Sequence, residues 1–228
     1  MVKGRRFIAV IPARGGSKGL RRKNIQPVAG KPLVAHSVAH ALAVREIDLV
    51  VVSSDDAAIL RAGKKAGAEA VLRPKNLASD TARTEDALLH ALDAVEKAHG
   101  RFDFVITLEP THPFRRPETI RQAIALVSSG RYDSCMTLTE DRTDFWRRAA
   151  GTFRRLFPNA PRRRQDREPF YKENSLVYVT STAALRRRRF VIGARPGFLV
   201  TPEAESLDIH TQADLDLAEA MARRKARA

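Results

Sequence analysis

The sequence predicts an α/β fold with a mostly parallel central sheet, on three observations. Short apolar runs of strand type, at residues 7–11, 48–53, 69–72, 102–108 and 134–138, alternate with segments whose apolar residues recur at helical spacing. Strands alternating with helices in this way imply βαβ units. The most unusual loops, at residues 13–24, 53–56, 73–84 and 109–114, follow directly on strands, and open α/β sheets bind ligands beyond the carboxyl ends of their strands. A length of 228 residues suits a single large domain with a sizeable appendage.

The first strand, Phe7-Ile8-Ala9-Val10-Ile11, runs into Pro12-Ala13-Arg14-Gly15-Gly16-Ser17-Lys18-Gly19, with Arg21, Arg22 and Lys23 close behind. Glycines let backbone N–H groups approach oxygens, and the side chains supply positive charge, so this loop is a candidate phosphate site. It is neither of two familiar loops. Gly19 follows Lys18 where G-x-x-x-x-G-K-[ST] needs Ser or Thr, and Ser17 breaks G-x-G-x-x-G. A turn of breakers spans Pro27 to Pro32, and residues 33–44 read as a helix with Val34, Val38, Ala41 and Leu42 on its stripe. The second strand ends in Ser54-Asp55-Asp56, whose Asp residues are placed to cap a helix at 57–66. The third strand is broken by Arg73-Pro74, and a polar loop at 75–83 leads to a helix opened by Thr84-Glu85-Asp86. The fourth strand ends in Glu109-Pro110-Thr111-His112-Pro113-Phe114, before a helix at 117–129 and a strand at 134–138.

The pattern then changes. Residues 140–174 are rich in Arg and carry Phe145, Trp146, Phe153, Phe157, Phe170 and Tyr171 without helical period. The stretch has too few aliphatics for a core of its own, so it reads as a β-ribbon or lobe inserted into one domain covering 1–228. Aromatics among arginines mark it as a protein interface. Strand character returns at 175–180, a short helix at 181–188 runs into four arginines, and 197–200 is a last strand. Thr211 followed three residues later by Asp214 is a capping pattern for the final helix.

Composition narrows the classes. The hydrophobic content of 43% is that of a globular chain, with the basic tail at 223–228 the one stretch read as disordered. One cysteine, Cys135, excludes an internal disulfide and a Cys-based zinc site. Lys3, Arg5 and Arg6 precede only a five-residue apolar run, so no secretory leader is expected. No apolar run approaches the roughly 20 residues that span a bilayer, so the expectation is a soluble, cytoplasmic protein with no membrane partner. The net charge of +15 fits either a polyanionic partner or an arginine-rich solvated surface. No recognition motif or aromatic platform accompanies it, so nucleic acid is not expected.

Arg14, Lys18 and Lys23 are the candidate phosphate ligands. Asp55 and Asp208 are carboxylates at strand ends, where either could hold Mg²⁺, and Asp55 is alternatively a helix cap. Asp208 lies between Leu207 and Ile209, where burial would be costly without a cation. His210, two residues on, is open to three roles: ligand, general acid/base or cap. Ser17, Ser54 and Ser79 have no sequence partners that would make a nucleophile. A metal-assisted phosphate reaction, needing positioning and charge neutralisation, therefore fits better than covalent catalysis.

Several stretches in collinear order resemble one family. Ile11 to Leu20 with Lys23-Asn24 looks like the signature of the N-acylneuraminate (sialic acid) cytidylyltransferases. Leu72-Arg73-Pro74 with Leu77-Ala78-Ser79-Asp80-Thr81-Ala82 resembles their second motif. Leu108-Glu109-Pro110-Thr111-His112-Pro113-Phe114-Arg115 resembles a third, usually L-Q-P-T-S-P-L-R. Asn174 to Tyr178 resembles an N-G-x-x-Y strand, and Ser206-Leu207-Asp208-Ile209-His210-Thr211 a final D-I-D-T motif.

The resemblance implies a Rossmann-like nucleotidyltransferase fold of three αβα layers with a small inserted dimerisation lobe. It implies transfer of CMP from CTP to a 2-keto-3-deoxy acid sugar, with release of pyrophosphate and with Mg²⁺ (or Mn²⁺) as cofactor. By motif match, Arg14, Lys18 and Lys23 are catalytic. Ala13, Arg14, Gly15, Lys18, Asn24, Arg73, Ala82 and Thr84 bind nucleotide. Glu109, Asn174 and Arg164 face the sugar, and Asp208 holds the metal with His210 and Asp55 as further candidate ligands. A homodimer through 140–174 is implied. Two departures stand out: Glu109 replaces a usual Gln, and His210 replaces a usual second Asp. They admit another acid sugar (legionaminate, pseudaminate or an octulosonate) or a non-catalytic nucleotide- or sugar-binding homologue.

Overall fold

The structure, a computed structural model, describes residues 4–227, with the side chains of 226 and 227 left out. Lys3 and Ala228 of the sequence reading lie outside the described residues. In chain order the elements are β1 (Phe7–Pro12), β2 (Pro27–Val28), β3 (Lys31–Pro32), α1 (Leu33–Leu42), β4 (Leu49–Ser54), α2 (Ala57–Lys65), β5 (Glu69–Leu72), α3 (Thr84–His99), β6 (Phe104–Thr107), α4 (Pro117–Ser128), β7 (Ser134–Asp141), β8 (Trp146–Ala149), β9 (Thr152–Arg155), β10 (Phe170–Ser181), α5 (Thr182–Arg188), β11 (Pro196–Val200) and α6 (Gln212–Arg227). Three-residue 3₁₀ turns punctuate the loops at Lys23–Ile25, Arg164–Asp166 and Glu203–Glu205.

Seven strands form one sheet in the order β11-β7-β10-β6-β1-β4-β5. β1 pairs parallel to both β4 and β6, β4 to β5, and β11 to β7. β10 alone runs against its neighbours β6 and β7, so the sheet is mostly parallel, as the alternating pattern predicts. Successive side chains of a strand point to opposite faces, and β1 shows why a sandwich results. Phe7, Ala9 and Ile11 pack with Val34 and Val38 of α1, Ile59 of α2, and Ile120 and Ile124 of α4. Ile8 and Val10 pack on the other face with Leu88 and Leu92 of α3 and Leu185 of α5. Both faces are covered, so the strands carry continuous apolar runs. A third cluster seats α6 beside the loops through Leu20, Leu33, Phe114, Ile209 and Leu215.

Two local expectations change and a third holds. Asp56, not Asp55, caps α2, its Oδ1 accepting from the Ala58 and Ile59 amides at 2.6 and 3.2 Å. The tail read as disordered is helical through Arg227. The Thr211/Asp214 cap is formed, Asp214 Oδ2 accepting from the Thr211 amide at 2.8 Å and Thr211 Oγ1 accepting in return from the Asp214 amide at 3.3 Å.

The insert is smaller than its sequence boundaries, because β7 and β10 stay paired from Asp141↔Phe170 to Leu138↔Glu173 before the register shifts. Between them stands the β8–β9 hairpin, whose turn residues Ala150 and Gly151 both have positive φ. Two arginines stand in for an apolar core. Arg155 pairs with Asp144 at 2.8 Å and donates to the Pro158 and Ala160 carbonyls. Arg167 donates to the carbonyls of Pro161, Arg142 and Arg162. Phe145, Trp146, Phe153 and Tyr171 remain exposed. Among the described residues no helix is long and apolar enough to cross a membrane.

Candidate active site

The loops after β1, β5 and β6 close around a cavity of about 430 Å³, a size suited to a small-molecule ligand. Arg14, Lys18, Lys23, Asn24, Arg73, Ala82, Thr84 and Glu109 all line it, as do Asp80, Thr111 and His210. A second cavity, of about 680 Å³, is lined by Thr139, Lys172, Glu173, Asn174, Ser206, Asp208 and His210, among others. His210 lines both.

The loop after β1 is held shut by its own backbone. The Ala13 amide donates to the Ser53 carbonyl at 3.0 Å, and the Gly15 amide to Asp55 Oδ1 at 2.9 Å. These two amides are spent inside the protein, and neither residue lines the cavity. Both residues, expected as nucleotide contacts, shape the loop through these bonds. Asp55 likewise serves the loop through Oδ1 and does not line the cavity. Asn24 Nδ2 donates to the Arg14 carbonyl at 2.9 Å across the loop. Gly19 is required by a close approach, since a Cβ there would stand 2.5 Å from the His210 carbonyl oxygen. That contact joins the loop to the chain end nearly the whole sequence away.

The positive charges are unevenly committed. Arg14 Nη1 pairs with Asp80 Oδ1 at 2.6 Å, and Lys18 Nζ with Asp80 Oδ2 at 3.0 Å. The Lys18 and Arg14 hydrogen bonds together hold the Asp80 carboxyl below its ordinary range. Lys23 is deeper: burial pushes its ammonium down, against the opposing pull of Asp208 and Glu109. Arg73 reaches the cavity wall, but its Nε and Nη2 donate to Ser53 at 3.3 and 2.6 Å and its Nη1 to Leu77 at 3.4 Å. It pins the loop after β5 to the end of β4.

The opposite wall is partly buried and under-satisfied. Asp208 Oδ2 accepts from His210 Nε2 at 2.8 Å, while its Oδ1 is buried without a partner. His112 is fully buried. Its Nδ1 donates to the Leu207 carbonyl at 3.2 Å, and its Nε2 faces Asp208 Oδ2 at 3.9 Å with no hydrogen bond. Burial, then Arg115, pushes the His112 imidazole down to about 4. Burial and then Asp208 push the Glu109 carboxyl up. Arg115, fully buried and lowered to about 9 by desolvation, donates to the carbonyls of Leu176 and Glu109 at 2.7 Å each and to Ser37 Oγ at 3.0 Å. It locks the loop after β6 to β10 and α1.

Of the three expected sugar residues, Asn174 lines the second cavity, Glu109 lines the first and Arg164 neither. Asn174 Nδ2 faces Thr139, Thr201 and Ser206, and its Oδ1 accepts from Thr137 Oγ1 at 2.6 Å and the Leu176 amide at 3.1 Å. Its capacity is used in holding the bulge of β10, where Ser175 has φ +54°. Arg164 lies in the insert and lines neither cavity. Sequence reasoning passed over Asp80, His112 and Arg115. His112 had a signal, standing where the third motif usually has Ser. Asp80 and Arg115 sat inside recognised motifs with nothing local to mark their partners.

The lone buried oxygen on Asp208 fits a cation, and a carboxylate with phosphate oxygens is a normal Mg²⁺ environment. Among the described residues no three His, Cys, Asp or Glu side chains are already gathered as a metal cluster.

Comparison with known proteins gives the family and the fold. A family model described as cytidylyltransferase matches residues 8–222. The chain is 33% identical to a CMP-N,N'-diacetyllegionaminic acid synthase of Legionella pneumophila, over 94% of this chain and 95% of that protein. It is 30% identical to a pseudaminic acid cytidylyltransferase of Campylobacter jejuni, over 92% and 94%. Among solved structures, CMP:2-keto-3-deoxy-manno-octonic acid synthetase complexed with CTP superposes with a TM-score of 0.68 at 18% identity, covering 96% of this chain and 99% of that one. A 4-diphosphocytidyl-2C-methyl-D-erythritol synthase from Anaerococcus prevotii superposes at 0.69 and 15%, covering 98% of each. These last two bear on the fold, which is the Rossmann-like α/β type of nucleotidyltransferases.

Proposed function

The chain belongs to the cytidylyltransferase family, and from that premise we propose that it activates a sialic-acid-like 2-keto-3-deoxy acid sugar with CTP, giving the CMP-sugar and pyrophosphate. The observation that carries this reading is the pair of cavities that meet at His210, one walled by Arg14, Lys18 and Lys23 and the other by Lys172 and Asp208. CTP occupies the first, with Arg14, Lys18 and Lys23 on its phosphates and Asn24, Ala82 and Thr84 nearer the nucleoside. The sugar occupies the second, its carboxylate toward Lys172. The anomeric oxygen then bonds to the α-phosphorus as the α–β bridging bond breaks, and the hydroxyl proton is released. The three cations neutralise the departing pyrophosphate, the main help such a reaction needs. A divalent cation at Asp208 supplies further neutralisation of the phosphates when bound.

The names of the full-length relatives favour legionaminate or pseudaminate over other acid sugars. The exposed aromatics of the insert favour a homodimer through that lobe. Pyrophosphate release from CTP and Mg²⁺ with a panel of N-acetylneuraminate, diacetyllegionaminate, pseudaminate and 2-keto-3-deoxyoctonate tests the reading. Release with at least one nonulosonate is expected. CTP binding with no release for any sugar would leave a nucleotide-binding protein in its place.

A further inference from the structure

The second cavity has two kinds of lining. β7 and β10 bring Thr139, Lys172 and Asn174 to it, whereas α6 brings Leu217 and Met221, with Ala204 and the exposed Glu203 of the last 3₁₀ turn beside them. Leu215 and Ala218 are buried in the third cluster and fix which face of α6 turns inward. Leu217 and Met221, one helical turn apart, then stand together on the flank of that face. Met221 packs partly on the cluster, and Leu217 is 50% exposed. A single exposed leucine is ordinary on a surface, but this one lines a cavity. The polar lining also offers less than its residue types suggest. Asn174 Nδ2 donates to Thr139 Oγ1 at 2.7 Å and to Ser206 Oγ at 3.1 Å, and those two hydroxyls share a hydrogen bond at 2.9 Å. These groups satisfy one another and keep little capacity for a ligand's hydroxyls. A hydroxyl placed there without a partner costs desolvation, whereas a methyl group against Leu217 gains from burial.

We infer that Leu217 and Met221 form a subsite for an apolar substituent on the exocyclic tail of the sugar. The chain then prefers acid sugars whose tail carries an acylamino group and a terminal methyl over sugars of the same length with a fully hydroxylated tail. The inference rests on the proposed seating of the sugar in the second cavity and adds the residues that choose its tail. In such a sugar the carboxylate and the anomeric carbon are at one end and the tail is at the other. With the carboxylate toward Lys172 and the anomeric oxygen at the His210 junction, the tail is left to the wall that α6 supplies. Leu217 gives that wall a fixed shape on a regular helix, and the unbranched Met221 adapts to the substituent. An apolar pocket of this kind discriminates against an added hydroxyl by about 10- to 100-fold.

The test compares pyrophosphate release by the full chain, with CTP and Mg²⁺, for two nonulosonates: N-acetylneuraminate, whose tail is hydroxylated, and diacetyllegionaminate, whose tail is acylated and ends in a methyl. The parent's kcat/KM should favour diacetyllegionaminate by about tenfold or more. Leu217→Ser, an exposed change that leaves the third cluster intact, should lower kcat/KM for diacetyllegionaminate about tenfold, mainly through KM, and keep N-acetylneuraminate within about twofold. Equal or inverted preference in the parent would overturn the inference. So would a variant that changes neither sugar, or that loses both equally, as a merely structural or subunit-contact role would give. A second measurement needs no turnover. The chain has three methionines, and the methyl NMR signal of Met221 is identified by its loss in Met221→Gln. That signal should shift on saturation with diacetyllegionaminate, and no shift would overturn the subsite. A shift without pyrophosphate release from any sugar would leave the subsite standing and remove the proposed reaction. Release without a shift would keep the reaction and remove the subsite.

Discussion

The two walls of the site solve opposite electrostatic problems. The loop after β1 has an excess of positive charge and lies near the surface, and it is quiet because Asp80 already neutralises Arg14 and Lys18. The wall built from His112, Asp208 and His210 sets a buried imidazole behind a partly buried carboxylate and an exposed imidazole, and it leaves an oxygen and a nitrogen without partners. The first wall is ready to exchange one anion for another at little cost, since exposed ion pairs contribute little. The second holds polar atoms that no group of the protein satisfies. Changes at Asp80 should therefore tune anion affinity, whereas changes at Asp208 should act on the chemistry.

The largest expected break is at the second wall. Asp208→Asn keeps shape and removes the charge that holds the cation, and should lower the rate of pyrophosphate release by about 10²- to 10³-fold. CTP affinity, measured by calorimetry, should change little, because Asp208 does not line the first cavity. Equal loss of both would erase the contrast between the walls. Next in size is the frame behind that wall. Arg115→Met leaves the Leu176 and Glu109 carbonyls and Ser37 without their donor and should cost about 3 kcal/mol in a urea titration. A loss under 1 kcal/mol would show that the buried guanidinium is replaceable.

A smaller effect tests the carboxylate between the walls. The Glu109 carboxyl is raised by burial and by Asp208, with Lys23, Arg115 and His210 opposing. A raised group contributes stability that is complete below the ordinary carboxylate value and is lost as pH rises through the raised one. Glu109→Gln should therefore melt higher than the parent at pH 7 and together with it at pH 4. The same change removes a repulsion and should lower KM for an anionic sugar several-fold with kcat little changed. The smallest effect belongs to the first wall. Asp80→Asn frees Arg14 and Lys18, and pyrophosphate should bind about threefold tighter at low salt, with the gain fading toward 1 M salt. Weaker binding would mean that Asp80 organises the loop and does not compete with phosphate.

Much of this was legible because it is written in local pattern. The strand–glycine–charge sequence from Phe7 to Lys23 marks a ligand loop by itself, and the cavity gathers Arg14, Lys18, Lys23, Asn24 and Thr84 as expected. The misreadings share a cause. Asp55 and Asp56 are adjacent and chemically alike, and only the path of the loop after β1 decides which caps α2 and which receives the Gly15 amide. Asn174 and Arg73 line the cavities, as the motifs imply, while most of their polar atoms are also drawn into the scaffold by neighbours 20 or more residues away. The abundance of arginine in the insert, unexplained by pattern, is partly accounted for by Arg155 and Arg167 tying carbonyls together where aliphatic side chains are scarce.

By itself the sequence determined the layered α/β class, the order of strands and helices, and the residue types available to the site, because periodicity and turn chemistry act over a few residues. Tertiary structure alone decided which groups are spent and which are free. The antiparallel placement of β10, the approach of Gly19 to His210 and the burial of His112 against Asp208 are long-range facts. Each depends on where chain segments some 30 to 190 residues apart come to rest, and hydrogen-bond capacity is settled only there.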